Sequence, residues 1–293
     1  MSLSQRSTER VSELCGVSVR ATYPLSGGCI GEVYEVHLAD KTRLVAKVGE
    51  GHSSSLSIEG RMLEYLGEHS TLPVPTVLHA DDSLLLMDYI EGTSQFSAKA
   101  ARHAAELLCE LHSIAPPEAD SSKLFGLNFD TLIGGLPQPN QQSSSWLEFY
   151  AEHRLRSMSQ SCERSGRLPK AYLARVEGLI ELLPNIIPSN CQPSLIHGDL
   201  WSNNILAQGS QITGFIDPAL YYADPEIELA MTTLFHTFPQ AFFERYSEIR
   251  PISSEFYAER QYIYQLYPLL VHVRLFGEAY VQQVSAILER FSL

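Results

Sequence analysis

The stretch LIHGDLWSNNIL at Leu195 to Leu206, followed by FIDP at Phe215 to Pro218, constrains this chain more than any other. Between apolar runs of strand character it sets out Asp199, then Asn204 five residues on, then Asp217 one β-hairpin later. That is the spacing of a phosphoryl-transfer site, in which an acid receives a hydroxyl proton while an amide and a carboxylate hold magnesium. Asp199 is read as the proton acceptor, and Asn204 and Asp217 as the magnesium ligands. His197 reads as a structural residue bonding nearby backbone, because Asp199 already fills the acid–base role. Asp before Pro is also a common turn starter, so Asp217 takes its meaning from the two residues before it.

Upstream lie the parts such a site needs for a nucleotide. Val17 to Leu25 and Glu32 to Leu38 read as strands flanking SGGCIG, and Arg43 to Val48 as a third strand. Glycines in that turn, Gly27, Gly28 and Gly31 with Cys29 and Ile30 among them, let backbone amides approach phosphate oxygens. A plain hairpin would use the same residues, and the turn departs from the G-x-G-x-x-G form of protein kinases. Lys47, on the third strand, can contact the α- and β-phosphates if an acid from the next helix holds it. Glu59, in the helix expected over Ser57 to Glu68, is the candidate. Alone, either residue would pass for a solvated surface charge; their order ahead of the catalytic loop argues otherwise.

SLLLMDYIEG at Ser83 to Gly92 reads as a buried strand running into a connector at about 87–93. Met87, Asp88 and Tyr89 are expected to border the nucleotide there. The α+β chain thus divides into a small β-rich lobe, residues 1–89, and a larger mainly helical lobe, residues 90–293. Helices are expected over Ser97 to Ile114, Trp146 to Cys162, Lys170 to Leu183, Pro225 to Phe235, Glu255 to Tyr267 and Leu269 to Arg290. Short strands are expected at Ser194 to Ile196, Ile205 to Leu206 and Gln211 to Ile216. IGGLPQPNQQSSS at Ile133 to Ser145 reads as a mobile loop.

Composition narrows the partner. At 293 residues and 44% hydrophobic the chain can bury a sizeable core, and 21 Lys and Arg against 34 Asp and Glu give a net charge of −13. That charge disfavours nucleic acid and anionic membranes and points to a small molecule. Five cysteines without a C-x-x-C pair fit reduced thiols, and no run approaches the ~20 apolar residues of a membrane span, so a cytoplasmic protein is expected. Cys29, beside backbone amides that would lower its pKa, is a candidate for oxidation, so the chain is expected as a monomer or a redox-linked dimer through Cys29.

HGDLWSNN, FIDPALYYADPEIELAM, the SGGCI turn and WLEFYAEHRL at Trp146 to Leu155 together resemble the fructosamine kinase family, ketosamine kinases of protein-kinase-like fold related to aminoglycoside and choline kinases. The resemblance spans nearly the whole chain. It implies ATP- and Mg2+-dependent phosphorylation of a sugar hydroxyl, the 3-hydroxyl in fructosamines made from glucose, on a small ketosamine or a glycated amine or protein. It also gives Trp201 a role as platform for the sugar or its amine-bearing group, the alternative being a plug that seats the loop in the helical lobe. Asn203 stands where the family commonly has glycine, and Glu228 where it usually has aspartate. Asp224, Glu226 and Glu228 are acidic residues expected near the site, with Asp224 read as the cap of the helix beginning at Pro225. Two other readings use the same residues. A different small-molecule kinase, acting on an aminoglycoside or choline, would be told apart by substrate trials. A non-catalytic nucleotide-binding protein would lack one of these groups, and the sequence retains all of them.

Overall fold

The computed structural model describes residues 3–25, 32–49, 56–117 and 124–293. Helix α1 (Gln5–Cys15) leads into strands β1 (Val19–Pro24), β2 (Glu32–Leu38) and β3 (Arg43–Val48), then helix α2 (Leu56–His69) and strands β4 (Val77–Ala80) and β5 (Leu84–Asp88). These strands form one antiparallel sheet in the order β1-β2-β3-β5-β4. Strand period decides which face each side chain serves. Tyr34, Val36, Leu44, Ala46, Leu84 and Leu86 pack with Val11 of α1, while Val45, Leu85 and Met87 pack with Leu56 and Leu63 of α2. Lys47 shares the α2 face by parity. The near-continuous apolar run of β5 follows from its being covered on both faces. The turn carrying Gly27, Gly28, Cys29, Ile30 and Gly31 lies outside the described residues.

The second part is mainly helical. It runs through α3 (Ala98–Leu111), the hairpin β6 (Thr131–Ile133) and β7 (Leu136–Gln138), α4 (Trp146–Phe149), a π-helical stretch (Tyr150–Arg156), α5 (Ser157–Arg164) and α6 (Ala171–Ile186). Strands β8 (Ser194–Ile196), β9 (Ile205–Gln208), β10 (Gln211–Phe215) and β11 (Tyr221–Ala223) follow, then α7 (Glu226–Leu234), α8 (Gln240–Ile249), α9 (Gln261–Phe276) and α10 (Val281–Arg290). β9 pairs with β10 and β8 with β11, all antiparallel, which brackets the catalytic loop between two ribbons. Among the described residues no helix is long and apolar enough to cross a membrane.

Two helices stand where no element was expected, and two expectations need correction. The polar N-terminus is a helix, α1, whose Val11 is its only fully buried residue, too narrow an apolar stripe to read by period. α8 was not anticipated. The break expected at Pro268 does not occur: Pro268 lies inside α9, where buried residues from Ile263 to Val273 hold the helix together despite the lost hydrogen bond, and the chain turns instead at Gly277, φ 85°. The segment taken for a mobile loop begins as the β6–β7 hairpin, with Ile133 paired to Leu136 across Gly134 and Gly135, both at positive φ as a type I′ turn requires. Gln138 at the end of β7 and Asn140 just after it are fully buried.

Candidate active site

The connector after β5 crosses to the helical part at Gly92. A Cβ there would lie 2.9 Å from Ala207 N and 2.7 Å from Thr213 Oγ1, so only glycine lets the chain pass. Thr93 then exchanges backbone hydrogen bonds with Ala207, 2.9 Å each way, tying the connector to β9. Between sheet and ribbon lies a cleft of about 660 Å³. Val33, Val45 and Met87 offer it an apolar wall from the sheet, and Leu206 and Ile216 face them from the ribbon. Asp88 and Tyr89 also line it, the Tyr89 ring lying under the Arg43 guanidinium at 3.8 Å.

Lys47 sits at the back of this cleft between two carboxylates. Its Nζ donates to Glu59 Oε1 at 2.5 Å and also to Asp217 Oδ1. Glu59 reaches it because α2 approaches the sheet closely at Gly60, where a Cβ would fall 2.3 Å from that of Ala80. Burial works against a charged Lys47, but Asp217 and Glu59 hold its ammonium above the usual lysine range. Burial pushes Glu59 upward, assisted by the Asp217 charge. One ammonium shared by two carboxylates is left short of negative charge by neither, so Lys47 is the fixed cation of the site.

The catalytic loop is built on backbone geometry that few residues tolerate. Gly198 has φ 86°, and a Cβ on it would lie 2.1 Å from Ala219 O. Asp217 itself has φ 54°, a left-handed conformation that is uncommon for a non-glycine residue. His197 joins the two segments: its Nε2 donates to Ile216 O at 3.0 Å, its Nδ1 accepts from Asp199 N at 3.3 Å, and its carbonyl accepts from Ala219 N at 2.8 Å. Burial lowers the His197 pKa, so the neutral ring with the proton on Nε2 fits these partners. The structural role read for His197 is what these bonds describe.

Asn204 Nδ2 donates to the Asp199 carbonyl at 2.8 Å and to Asp199 Oδ2 at 3.0 Å. Its amide oxygen is thereby left for another donor. Asp199 is pushed up to about 7, by burial first and by the neighbouring Asp217 charge second, with the Asn204 hydrogen bond opposing. Trp201 is half-buried and lines the same cleft, as does Asn203. Asn203 lies in the 3₁₀ turn Ser202–Asn204 without positive φ, so nothing at that position requires glycine.

Glu228 is buried beneath the loop. Its Oε1 accepts the Gly198 N–H at 2.7 Å and its Oε2 the His197 N–H at 3.2 Å, while His112 Nε2 meets Oε2 at 2.9 Å. Burial raises a carboxyl, but the His112 bond and charge, His197 and the Gly198 N–H more than offset it, and Glu228 stays below the usual range. Asp224 accepts the Glu226 N–H at 3.0 Å and so caps α7. Glu226 is engaged elsewhere, in a two-pronged pair with Arg260. Sequence reasoning named Glu228 only as an acid near the site; its i+4 distance from the cap and its apolar neighbours were the available sign that it points inward.

Among the described residues no group of three or more His, Cys, Asp or Glu could hold a metal ion. Asn204 and Asp217 offer two hard oxygens, which suits magnesium because that ion takes one or two protein ligands and fills its octahedron with phosphate and water oxygens. The cation Lys47, one carboxylate near neutrality and an apolar slot make a site able to bind a nucleoside triphosphate and deprotonate a hydroxyl beside it.

A family profile described as fructosamine kinase matches residues 3–292. A probable ketoamine kinase of Synechocystis sp. is 32% identical over 295 residues, covering 98% of this chain and 96% of the relative. The probable ketoamine kinase YniA of Escherichia coli K12 is 32% identical over 237 residues, 79% of each chain. Among solved structures, a candidate fructosamine-3-kinase from Thermobifida fusca superposes with a TM-score of 0.85 at 31% identity, covering 96% of both chains. An aminoglycoside phosphotransferase, APH(2")-IIa bound to gentamicin, superposes with a TM-score of 0.67 at 18% identity over 99% of this chain and 97% of its own, a likeness of fold. The fold is the bilobal protein-kinase-like one expected.

Proposed function

The chain belongs to the fructosamine kinase family, and on that premise we propose that it transfers the γ-phosphoryl group of ATP to a sugar hydroxyl of a ketosamine, with Asp199 as the proton acceptor. The observation that supports this most is the meeting of Lys47, Asp199, Asn204 and Asp217 in one cleft from segments up to 170 residues apart. The hydroxyl oxygen forms the new bond to the γ-phosphorus, the bond to the β–γ bridging oxygen breaks, ADP leaves, and the hydroxyl proton passes to Asp199. Lys47, steadied by Glu59, holds the α- and β-phosphate oxygens. Met87, Asp88 and Tyr89 border the base; the turn at residues 27–31, expected to meet the phosphates, lies outside the described residues. Asn204 and Asp217 would hold magnesium, which neutralises charge on the phosphates.

Residues 1–89 carry the nucleotide in this reading, residues 90–293 the acceptor, and the connector at 87–93 joins them. The 3-hydroxyl is the expected acceptor position on a fructosamine, and ³¹P–¹H correlation spectra of the product test it: a phosphate on any other carbon overturns that assignment. Trp201 lines the cleft and belongs to none of the three buried apolar clusters, which favours the sugar platform over the plug. Cys15, Cys109, Cys162 and Cys191 are free thiols, which supports a cytoplasmic setting.

A further inference from the structure

The β6–β7 hairpin reaches the cleft: Leu132, Gly134 and Gly135 line it together with Asp199 and Trp201. Its strand β6 packs on α2. Its position is fixed by an unusual buried network. Gln138 Nε2 donates to Thr131 Oγ1 at 2.8 Å and to Ala219 O at 2.9 Å, and its Oε1 accepts the Tyr267 hydroxyl at 2.7 Å. Asn140 Nδ2 donates to the same Thr131 hydroxyl at 2.7 Å, and Asn140 Oδ1 accepts from Arg154 at 2.6 Å.

Arg154 is fully buried, has no carboxylate partner among the described residues, and leaves its Nε without a hydrogen bond. Its guanidinium lies over the Tyr221 ring at 3.8 Å and donates to Pro139 O at 2.7 Å. It stands in the π-helical stretch after α4, an irregularity that often marks functional positions. A buried cation satisfied only by neutral oxygens and an aromatic face is costly, and a plain core would do without it. What the network accomplishes locally is to tie the hairpin to Ala219, the residue whose N–H bonds His197 O and whose carbonyl crowds Gly198.

We propose that the β6–β7 hairpin is the acceptor-side wall of the cleft, its Gly134–Gly135 tip presenting bare backbone to a polyhydroxylated acceptor opposite Trp201. Gln138 is the positioning residue that sets the distance between this wall and Asp199 through Ala219. The inference rests on the reading of Asp199 as proton acceptor and of the cleft as a kinase site; it does not depend on which amine the sugar carries.

Two variants test it, each followed by acceptor kinetics, directly measured ATP binding and a thermal melt. Gly134→Asn keeps the turn, because Asn-Gly is the preferred type I′ pair, and its new Cβ meets only the far end of Leu275. Gln138→Leu keeps the volume and removes the tie. Both are expected to lower acceptor kcat/KM about 10- to 100-fold with ATP affinity changed less than about twofold: Gln138→Leu by letting the wall shift against Asp199, where an ångström costs that much, and Gly134→Asn by adding a side chain to a tip that meets the acceptor as bare backbone. If Gln138→Leu does not fold, Gly134→Asn alone decides. Unchanged acceptor kinetics in Gly134→Asn, or a parallel loss of ATP affinity, overturns the proposal. Should the wild-type chain phosphorylate an aminoglycoside or choline in place of any ketosamine, the ketosamine reading fails, and the same variants measured with that acceptor still decide the hairpin.

Discussion

Glu228 Oε1 accepts the backbone N–H of Gly198 at 2.7 Å, so a carboxylate from helix α7 fixes the residue immediately before Asp199. Replacing Glu228 with Ala strands two backbone donors and His112 in a buried pocket and should cost about 3 kcal/mol of stability. Glu228→Gln keeps one acceptor and should lower kcat more than it changes the KM for ATP. Because the folded pKa is depressed, the stabilisation is present above the unfolded value and is lost as pH falls through the lower, folded one. Melting curves of wild type and Glu228→Gln should therefore converge in acid; a constant gap at every pH would contradict this role.

Gly198→Ala meets both a positive φ and a Cβ position 2.1 Å from Ala219 O. Activity should be abolished and stability lowered by more than about 2 kcal/mol, as for a backbone position that no other residue fits. Asn203→Gly makes the contrast. Its neighbours and φ ask nothing of glycine, so kcat should stay within about twofold. A large effect of Asn203→Gly on kcat would show that the side chain, which lines the cleft, contacts a substrate.

Asp199→Asn should lower kcat by about 10²- to 10⁴-fold without unfolding the chain. In wild type the base must be ionised, so kcat/KM should rise with pH along a limb near 7, the value to which burial and Asp217 push this group. The same shift carries a stability consequence of opposite sign. A raised carboxylate pKa means the folded protein prefers the protonated form, so the penalty of ionising Asp199 starts above 3.8 and is complete above about 7. Asp199→Asn should accordingly raise the melting temperature of the ligand-free protein more at pH 8 than at pH 5. An equal gain at both values would place the raised pKa elsewhere.

Lys47 and Glu59 form a pair at 2.5 Å with both side chains buried, and Asp217 shares the same ammonium. Lys47→Met leaves two carboxylates facing each other and should destabilise by about 3–5 kcal/mol as well as weaken ATP binding. In a double-mutant cycle with Glu59→Gln the coupling should exceed about 1 kcal/mol. Gly60→Ala, which forces α2 away from Ala80, should weaken ATP binding without touching either charge. Additive effects of Lys47 and Glu59 would mean the pair does not act as a unit.

The grouping of these residues in one cleft was legible in sequence because it follows residue type and order. Asp199, Asn204, Asp217 and Lys47 keep their spacing, and β2 and β3 were bounded correctly because one alternating face shows in seven and six residues. What escaped depends on contacts that cross the chain. α1 has too little buried surface of its own, and Pro268 is overruled by packing on both sides of α9. The β6–β7 hairpin looked like a loop because Gln138 is satisfied by Ala219 and Tyr267 from far along the sequence, and Asn140 just after the hairpin by Arg154. Glu228 was visible as an acid, but its clamp on Gly198 exists only after α7 packs beneath the loop.

The central claim is ketosamine phosphorylation by Asp199 in this cleft. Its most direct test is magnesium-dependent ATP turnover against fructose- and ribulose-amines, aminoglycosides and choline, with Asp199→Asn as control. Turnover of a ketosamine by wild type, lost in Asp199→Asn, is the predicted result; turnover of no ketosamine, or undiminished turnover in Asp199→Asn, would contradict it.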